Sequence, residues 1–195
     1  VARRRAPRAV DAVALWPGAG SDAQHPSLVA IESALAPLPV RRLDFPYRRE
    51  GRRAPDRPPR LVASIEADVA TLCEELGTVP ARVVLGGRSM GGRMCSMAVA
   101  DGLAAAGVVL IAYPLHPPGR PDRLRTEHLG ALRVPSLWIC GDRDPFGTPE
   151  ELAEAQALVA GPVTTCTLAG RHDLKGQDEA IVSCLRRWLG CPGPR

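Results

Sequence analysis

"LGGRSMGGR", residues 85–93, sets one serine among four glycines and two arginines, directly behind an apolar run. Two readings compete for it: a flexible turn of small residues, or a backbone bent hard to hold Ser89 where a substrate can reach it. The flanks help to discriminate. ARVVLGG, residues 81–87, reads as a buried strand, and MCSMAVA, residues 94–100, can form a helix. Ser89 then falls on a strand-to-helix turn, and Gly87-Arg88-Ser89-Met90-Gly91 fits G-x-S-x-G, the nucleophile elbow. At so tight a turn, side chains two residues before and after the serine would strike neighbouring backbone, and glycine removes the collision. The serine is left strained, its hydroxyl exposed at the N-terminus of a helix whose dipole favours negative charge. A phosphate loop is the rival for a Gly-rich turn, but its Gly-Lys-Ser/Thr ending is missing.

Outward from the elbow, two kinds of segment alternate. Short apolar runs bounded by Gly or Pro read as buried parallel strands: VDAVALW (10–16), PVRRLDF (39–45), ARVVLGG (81–87), GVVLIAY (107–113), VPSLWIC (134–140) and PVTTCTL (162–168). Between them, Leu28, Ile31 and Leu35 mark one helix, and Leu61, Ile65, Val69, Leu72 and Leu76 form the apolar stripe of another. Thr148-Pro149-Glu150-Glu151 opens a further helix with a capping box. The last helix puts Ile181, Leu185, Trp188 and Leu189 on one side. Six strands alternating with helices give an α/β fold whose mostly parallel sheet is covered on both faces. The Pro/Arg-rich stretch 46–60 reads as a long connection inside one domain spanning residues 1–195, with residues 1–9 a flexible lead-in.

A serine hydroxyl needs a base, and the base needs an orienting acid. In this class of sheet the elbow serine is followed in the chain by Asp or Glu and then His. After the fifth strand comes Gly141-Asp142-Arg143-Asp144, and after the sixth Gly170-Arg171-His172-Asp173, both leaving the strand ends where open α/β sheets place their sites. His172 is the natural base, because no other histidine follows the last strand. Asp144 and Asp142 compete as the acid; Asp144 is favoured, with room for its loop to turn back, while Asp142 reads as a residue bonding nearby amides. His25 and His128 read as surface residues, and His116 either lines the pocket or packs. For an oxyanion hole, the Met90 N–H follows the nucleophile, and Trp16-Pro17-Gly18-Ala19-Gly20 supplies a second turn with Ala19 as the first candidate donor and Gly20 the next.

Composition bounds the alternatives. A 195-residue chain with 45% hydrophobic residues can bury about 70% of its unfolded surface without covalent staples. No apolar stretch approaches the roughly 20 residues that span a bilayer, and VARRRAPRAV lacks the apolar core of a secretory signal. The six cysteines form no CxxC pair, so neither a metal site nor a disulfide framework is suggested, and buried thiols in a reducing cytoplasm is the plain expectation. No cofactor motif stands out. The net charge is +4, and the densest basic stretch, residues 41–60, is interrupted by Asp44, Glu50 and Asp56 with only Phe45 and Tyr47 aromatic, which argues against nucleic-acid binding. Arg88, Arg93 and the arginines of 48–60 could instead rim a pocket for an acidic substrate.

In order along the chain, the PGAG turn (17–20), FPYRREGRRAPDRPPR (45–60), GGRSMGGR (86–93), YPLHPPGRP (113–121), GDRDPFG (141–147) and GRHDL (170–174) resemble a small α/β-hydrolase of the dienelactone-hydrolase-like kind. Within that kind the set is similar to the group named for testis-expressed protein thirty and subunit three of the non-specific-lethal chromatin complex. The resemblance implies a minimal α/β-hydrolase sheet without a large lid, and a serine-hydrolase arrangement carried by Ser89, Asp144 and His172. Two departures stand out: Pro17 replaces the histidine that commonly opens the first Gly-rich turn, and only nine residues precede the first strand. An esterase or thioesterase acting on a small molecule is the leading expectation. A non-catalytic interaction module that keeps the fold is the alternative.

Overall fold

The computed structural model describes residue 7 and residues 9–191, so the lead-in expected over residues 1–9 lies largely outside the described residues. The strands are β1 (Ala12–Trp16), β2 (Val40–Arg42), β3 (Val83–Arg88), β4 (Gly107–Ile111), β5 (Ser136–Gly141) and β6 (Val163–Leu168). The helices are α1 (Pro26–Leu35), α2 (Pro46–Arg49), α3 (Pro58–Leu76), α4 (Met90–Ala100), α5 (Pro149–Ala157) and α6 (Asp178–Leu189). All six strands pair in parallel in the order β2-β1-β3-β4-β5-β6.

The alternation of side chains along the central strands divides the core in two. Ala12, Ala14 and Trp16 of β1 face a cluster built from α3, α4 and α5, including Ile65, Val69, Met94 and Leu152. Val13 and Leu15 face the other cluster, with Leu28 and Ile31 of α1 and Ile181, Leu185 and Trp188 of α6. Strands β1, β3, β4 and β5 are buried throughout, which is why they read as unbroken apolar runs.

PVTTCTL was expected to be a buried strand as well, yet β6 is half-exposed because it sits at the sheet edge, where Thr165 and Thr167 face solvent. The stretch 46–60 is also more ordered than a connection. Pro46 starts the short α2, and Pro58 and Pro59 open α3 three residues before the apolar stripe begins, since proline's fixed φ suits a first helical turn. The expected capping box is present: Thr148 accepts from the Glu151 N–H, and the Glu151 carboxylate accepts from the Thr148 N–H. Cys73, Cys95, Cys140 and Cys184 are buried, whereas Cys166 and Cys191 are only half-buried. Between β4 and β5 the chain forms only a short 3-10 turn at Leu129–Ala131, so no lid domain interrupts the sheet. No helix among the described residues is long and apolar enough to cross a membrane.

The chain runs from β1 to β2 on one side and then crosses back to β3 on the other. Helices α1 and α4 consequently leave β1 and β3 on opposite faces, opening a crevice above their carboxyl ends, the place where such sheets bind ligands.

Candidate active site

Ser89 stands in that crevice with φ 47° and ψ −114°, a conformation that costs a non-glycine residue about 1–3 kcal/mol and persists only where neighbours impose it. Its N–H donates to the Ile111 carbonyl at 2.8 Å, extending the β3–β4 pairing one residue past the strand. The flanking glycines answer to one atom. A Cβ on Gly87 would lie 1.9 Å from the Trp16 carbonyl oxygen, and one on Gly91 would lie 2.2 Å from the same oxygen. Strand β1 thus leaves no room for a side chain on either side of the serine.

Three loops meet over this turn. His172, after β6, has Nε2 at 2.8 Å from Ser89 Oγ and Nδ1 at 2.7 Å from Asp144 Oδ2. Asp144 is 3% exposed, and its other oxygen accepts from the Phe146 N–H at 2.8 Å, so the carboxylate is fixed at both ends. The Phe146 ring stacks on the imidazole with centroids 4.0 Å apart, shielding it from one side. A carboxylate at Nδ1 holds the proton there, which leaves Nε2 free to accept from the serine hydroxyl. Asp142 does something else: its Oδ1 accepts from the Gly170 N–H at 2.8 Å, a bond that keeps its carboxyl below the usual range and ties the two loops together.

The cleft beside Ser89 holds about 600 Å³. One wall is the turn of Gly18, Ala19, Gly20 and Ser21, and the other is formed by Pro145, Phe146 and Arg171. A Cβ built on Gly18 would sit 3.5 Å from that of Ser89, which measures how close the turn comes. Neither the Ala19 nor the Met90 N–H has an acceptor among the described residues, so both are available to a ligand. The turn is braced from behind by residues that follow β2. Tyr47 donates its hydroxyl to the Ala19 carbonyl at 2.9 Å, and Asp44 accepts from the Ala23 N–H at 2.8 Å.

Arg88 lines the cleft but is only 5% exposed, and its donors are committed to protein. Nη1 donates to Ser27 Oγ at 3.2 Å, and Nη2 donates to the carbonyls of His172 and Asp173 at 3.2 and 2.8 Å. Burial holds its pKa below the ordinary arginine value. The arginines expected along the rim are elsewhere too. Arg48 pairs with Asp22, Arg49 with Asp68, and Arg52 and Arg60 with both Glu50 and Asp56, so four arginines of this stretch are tied to carboxylates away from the cleft. Arg93 lies outside the cleft, beside Tyr113 and His128.

Of the remaining histidines, His25 and His128 depart from expectation, while His116 takes the packed alternative. His25 is no plain surface residue: it caps α1, its Nδ1 accepting from the Ser27 N–H at 3.2 Å, and it lines the cleft. Burial and the nearby Arg88 charge lower its pKa. His128 is half-buried with Nε2 2.8 Å from Ser96 Oγ, and burial pushes its pKa down to about 4. His116 is buried between the Pro117 carbonyl and Glu151, away from the cleft. Sequence reasoning overlooked Tyr47, Phe146 and His25; the signal for His25 was available in Pro26, which marks a helix start and so a capping residue just before it. Among the described residues no group of three or more His, Cys, Asp or Glu could hold a metal ion.

Comparison with known proteins gives the same architecture. A type II thioesterase, BorB from the borrelidin biosynthetic cluster, superposes with a TM-score of 0.66 at 22% identity, covering 96% of each chain. Dienelactone hydrolase from Anabaena variabilis superposes at 0.69 with 17% identity over 93% of this chain and 86% of that one. An alpha-beta serine hydrolase homologue from Coxiella burnetii reaches 0.72 at 16% identity, over 94% and 88%. These are likenesses of fold. The family model for the alpha/beta hydrolase domain matches residues 10–183, nearly the whole described chain. This protein belongs to the alpha/beta hydrolase domain family.

Proposed function

We propose that this protein is a serine hydrolase that cleaves a small-molecule ester or thioester, with Ser89 as nucleophile, His172 as base and Asp144 as its orienting acid. The observation that carries the reading is the unbroken hydrogen-bonded run from Ser89 Oγ through His172 to Asp144, at 2.8 and 2.7 Å. Ser89 Oγ attacks the acyl carbon while its proton passes to His172 Nε2. The tetrahedral oxyanion takes hydrogen bonds from the Met90 and Ala19 amides, each worth about 3 kcal/mol at the transition state. Collapse breaks the bond to the alcohol or thiol, which leaves with the proton from His172. Water then attacks the acyl-enzyme by the same path in reverse, giving the acid and restoring Ser89.

The breadth of the substrate class, ester or thioester, follows the neighbours, which include a thioesterase and a dienelactone hydrolase. The ordered loop motifs support a finer kinship with the group of testis-expressed protein thirty. The test is turnover of short p-nitrophenyl esters and acyl thioesters by the parent and by Ser89→Ala, where loss of the serine is expected to cost up to about a millionfold in kcat. No turnover and no reaction with a fluorophosphonate would instead favour a non-catalytic module.

A further inference from the structure

Ala19 and Gly20 are the central residues of a four-residue turn closed by the Ser21 N–H donating to the Gly18 carbonyl at 3.1 Å. Neither residue has a positive φ, so this is a turn of the type I kind. Glycine at the third position makes the alternative, type II, readily accessible, because type II needs φ near +80° there. The two forms differ by rotation of the Ala19–Gly20 peptide through about half a revolution, which exchanges the sides faced by its C=O and its N–H. A fluctuation of this turn therefore matters to the cleft. In the observed form the Ala19 carbonyl accepts from the buried Tyr47 hydroxyl, and in the flipped form it would leave that partner for the side the Gly20 N–H now faces, in a turn that lines the cleft beside Ser89.

One group opposes the rotation from inside the protein. Tyr47 is fully buried, packed with Phe45, and its hydroxyl donates to the Ala19 carbonyl at 2.9 Å. It arrives from α2, in the Pro/Arg-rich stretch where Arg52 and Arg60 pair with the carboxylates of Glu50 and Asp56. Resting on the hydrolase reading above, we propose that Tyr47 is a positioning residue, whose hydroxyl holds the Ala19 carbonyl inward and so keeps that oxygen from turning to the cleft side, beside the Ala19 N–H, where it would oppose the oxyanion.

Tyr47→Phe removes one oxygen and keeps the ring. In ester hydrolysis it is expected to lower kcat by about fivefold to tenfold, the population shift that one hydrogen bond controls, with KM little changed. The affinity for a trifluoromethyl ketone, whose adduct carries the oxyanion, falls by the same factor. A residue that merely packs would lower the melting temperature and leave both readouts alone. Gly20→Ala supplies a second arm: its Cβ would meet nothing within 4 Å, yet alanine disfavours the positive φ of the flipped form. Adding Tyr47→Phe to Gly20→Ala should therefore cost less than adding it to the parent, whatever Gly20→Ala does by itself. Unchanged kcat and ketone affinity in Tyr47→Phe, with an active parent, overturns the proposal alone. Equal costs in the two backgrounds also overturns it. A parent without turnover or fluorophosphonate reaction overturns the hydrolase reading, and this proposal with it.

Discussion

Arg88 donates through Nη2 to the carbonyl of His172 at 3.2 Å, so the residue immediately before the serine holds the loop that carries its partner imidazole. The same guanidinium reaches Ser27 at the start of α1. The Ser89 turn, the His172 loop and the cleft wall are thus joined through one buried side chain. Arg88→Met should leave the carbonyls of His172 and Asp173 without donors, at about 1–3 kcal/mol each if they stay dry. The expected outcome is a lower urea midpoint together with a fall in kcat/KM of about tenfold or more. Arg88→Lys, with one point charge in place of a fork, should recover only part of either.

The two aspartates of the β5 loop should separate cleanly in kinetics. Asp144→Asn presents an amide to His172 Nδ1 and favours the wrong tautomer, which in triads of this kind costs about ten-thousandfold in kcat. Asp142→Asn keeps an oxygen for the Gly170 N–H and should change kcat by less than about tenfold, since one retained neutral bond replaces a charge-assisted one. Steady-state assays of the two variants with one ester substrate decide the matter, and the reverse order of losses would exchange the roles.

The elbow glycines should admit no side chain. A methyl group at Gly91 would overlap the Trp16 carbonyl at 2.2 Å, and backbone on both sides prevents relief. Gly91→Ala is expected to lose about 3 kcal/mol or more, at the upper end of overpacking effects, measured by denaturant unfolding.

His128 should make the fold acid-sensitive. Its folded pKa of about 4 lies below the ordinary histidine value of 6.5, so the unfolded chain binds more protons between those values. The stabilisation is complete above pH 6.5 and drains away as pH falls toward 4. His25, also lowered, adds in the same direction. Unfolding free energies measured between pH 7 and pH 4.5 should fall more steeply for the parent than for His128→Asn. Slopes are the proper comparison, because the variant also alters the bond to Ser96.

Much of the architecture was legible in the chain because it rests on local chemistry. The apolar runs of β1, β3, β4 and β5 read as buried because both faces are covered, and Thr148 with Glu151 announced a helix start that needs no tertiary context. The exposure of β6 was not legible: strand order is a property of the assembled sheet, and PVTTCTL carries the same β-branched residues at an edge as in a centre. Within the site, the glycines around Ser89 were interpretable because their reason is steric and close in sequence. The distances among Ser89, Asp144 and His172, up to 83 residues apart in the chain, belong to the fold alone. The arginines of 48–60 misled because charge composition does not say which carboxylates lie within reach, and here Asp22, Glu50, Asp56 and Asp68 take Arg48, Arg49, Arg52 and Arg60. Tyr47 was hidden in the same stretch, its hydroxyl meaningful only once the Ala19 carbonyl arrives from 28 residues away.

The most direct measurement is peptide-mapping mass spectrometry of the protein after exposure to a fluorophosphonate. One adduct on the peptide containing Ser89, absent from Ser89→Ala and strongly slowed in His172→Ala, is the predicted result. An adduct on a different residue, or labelling of Ser89 that proceeds at the parent's rate without His172, would contradict the proposed chemistry while leaving the sheet and its family untouched.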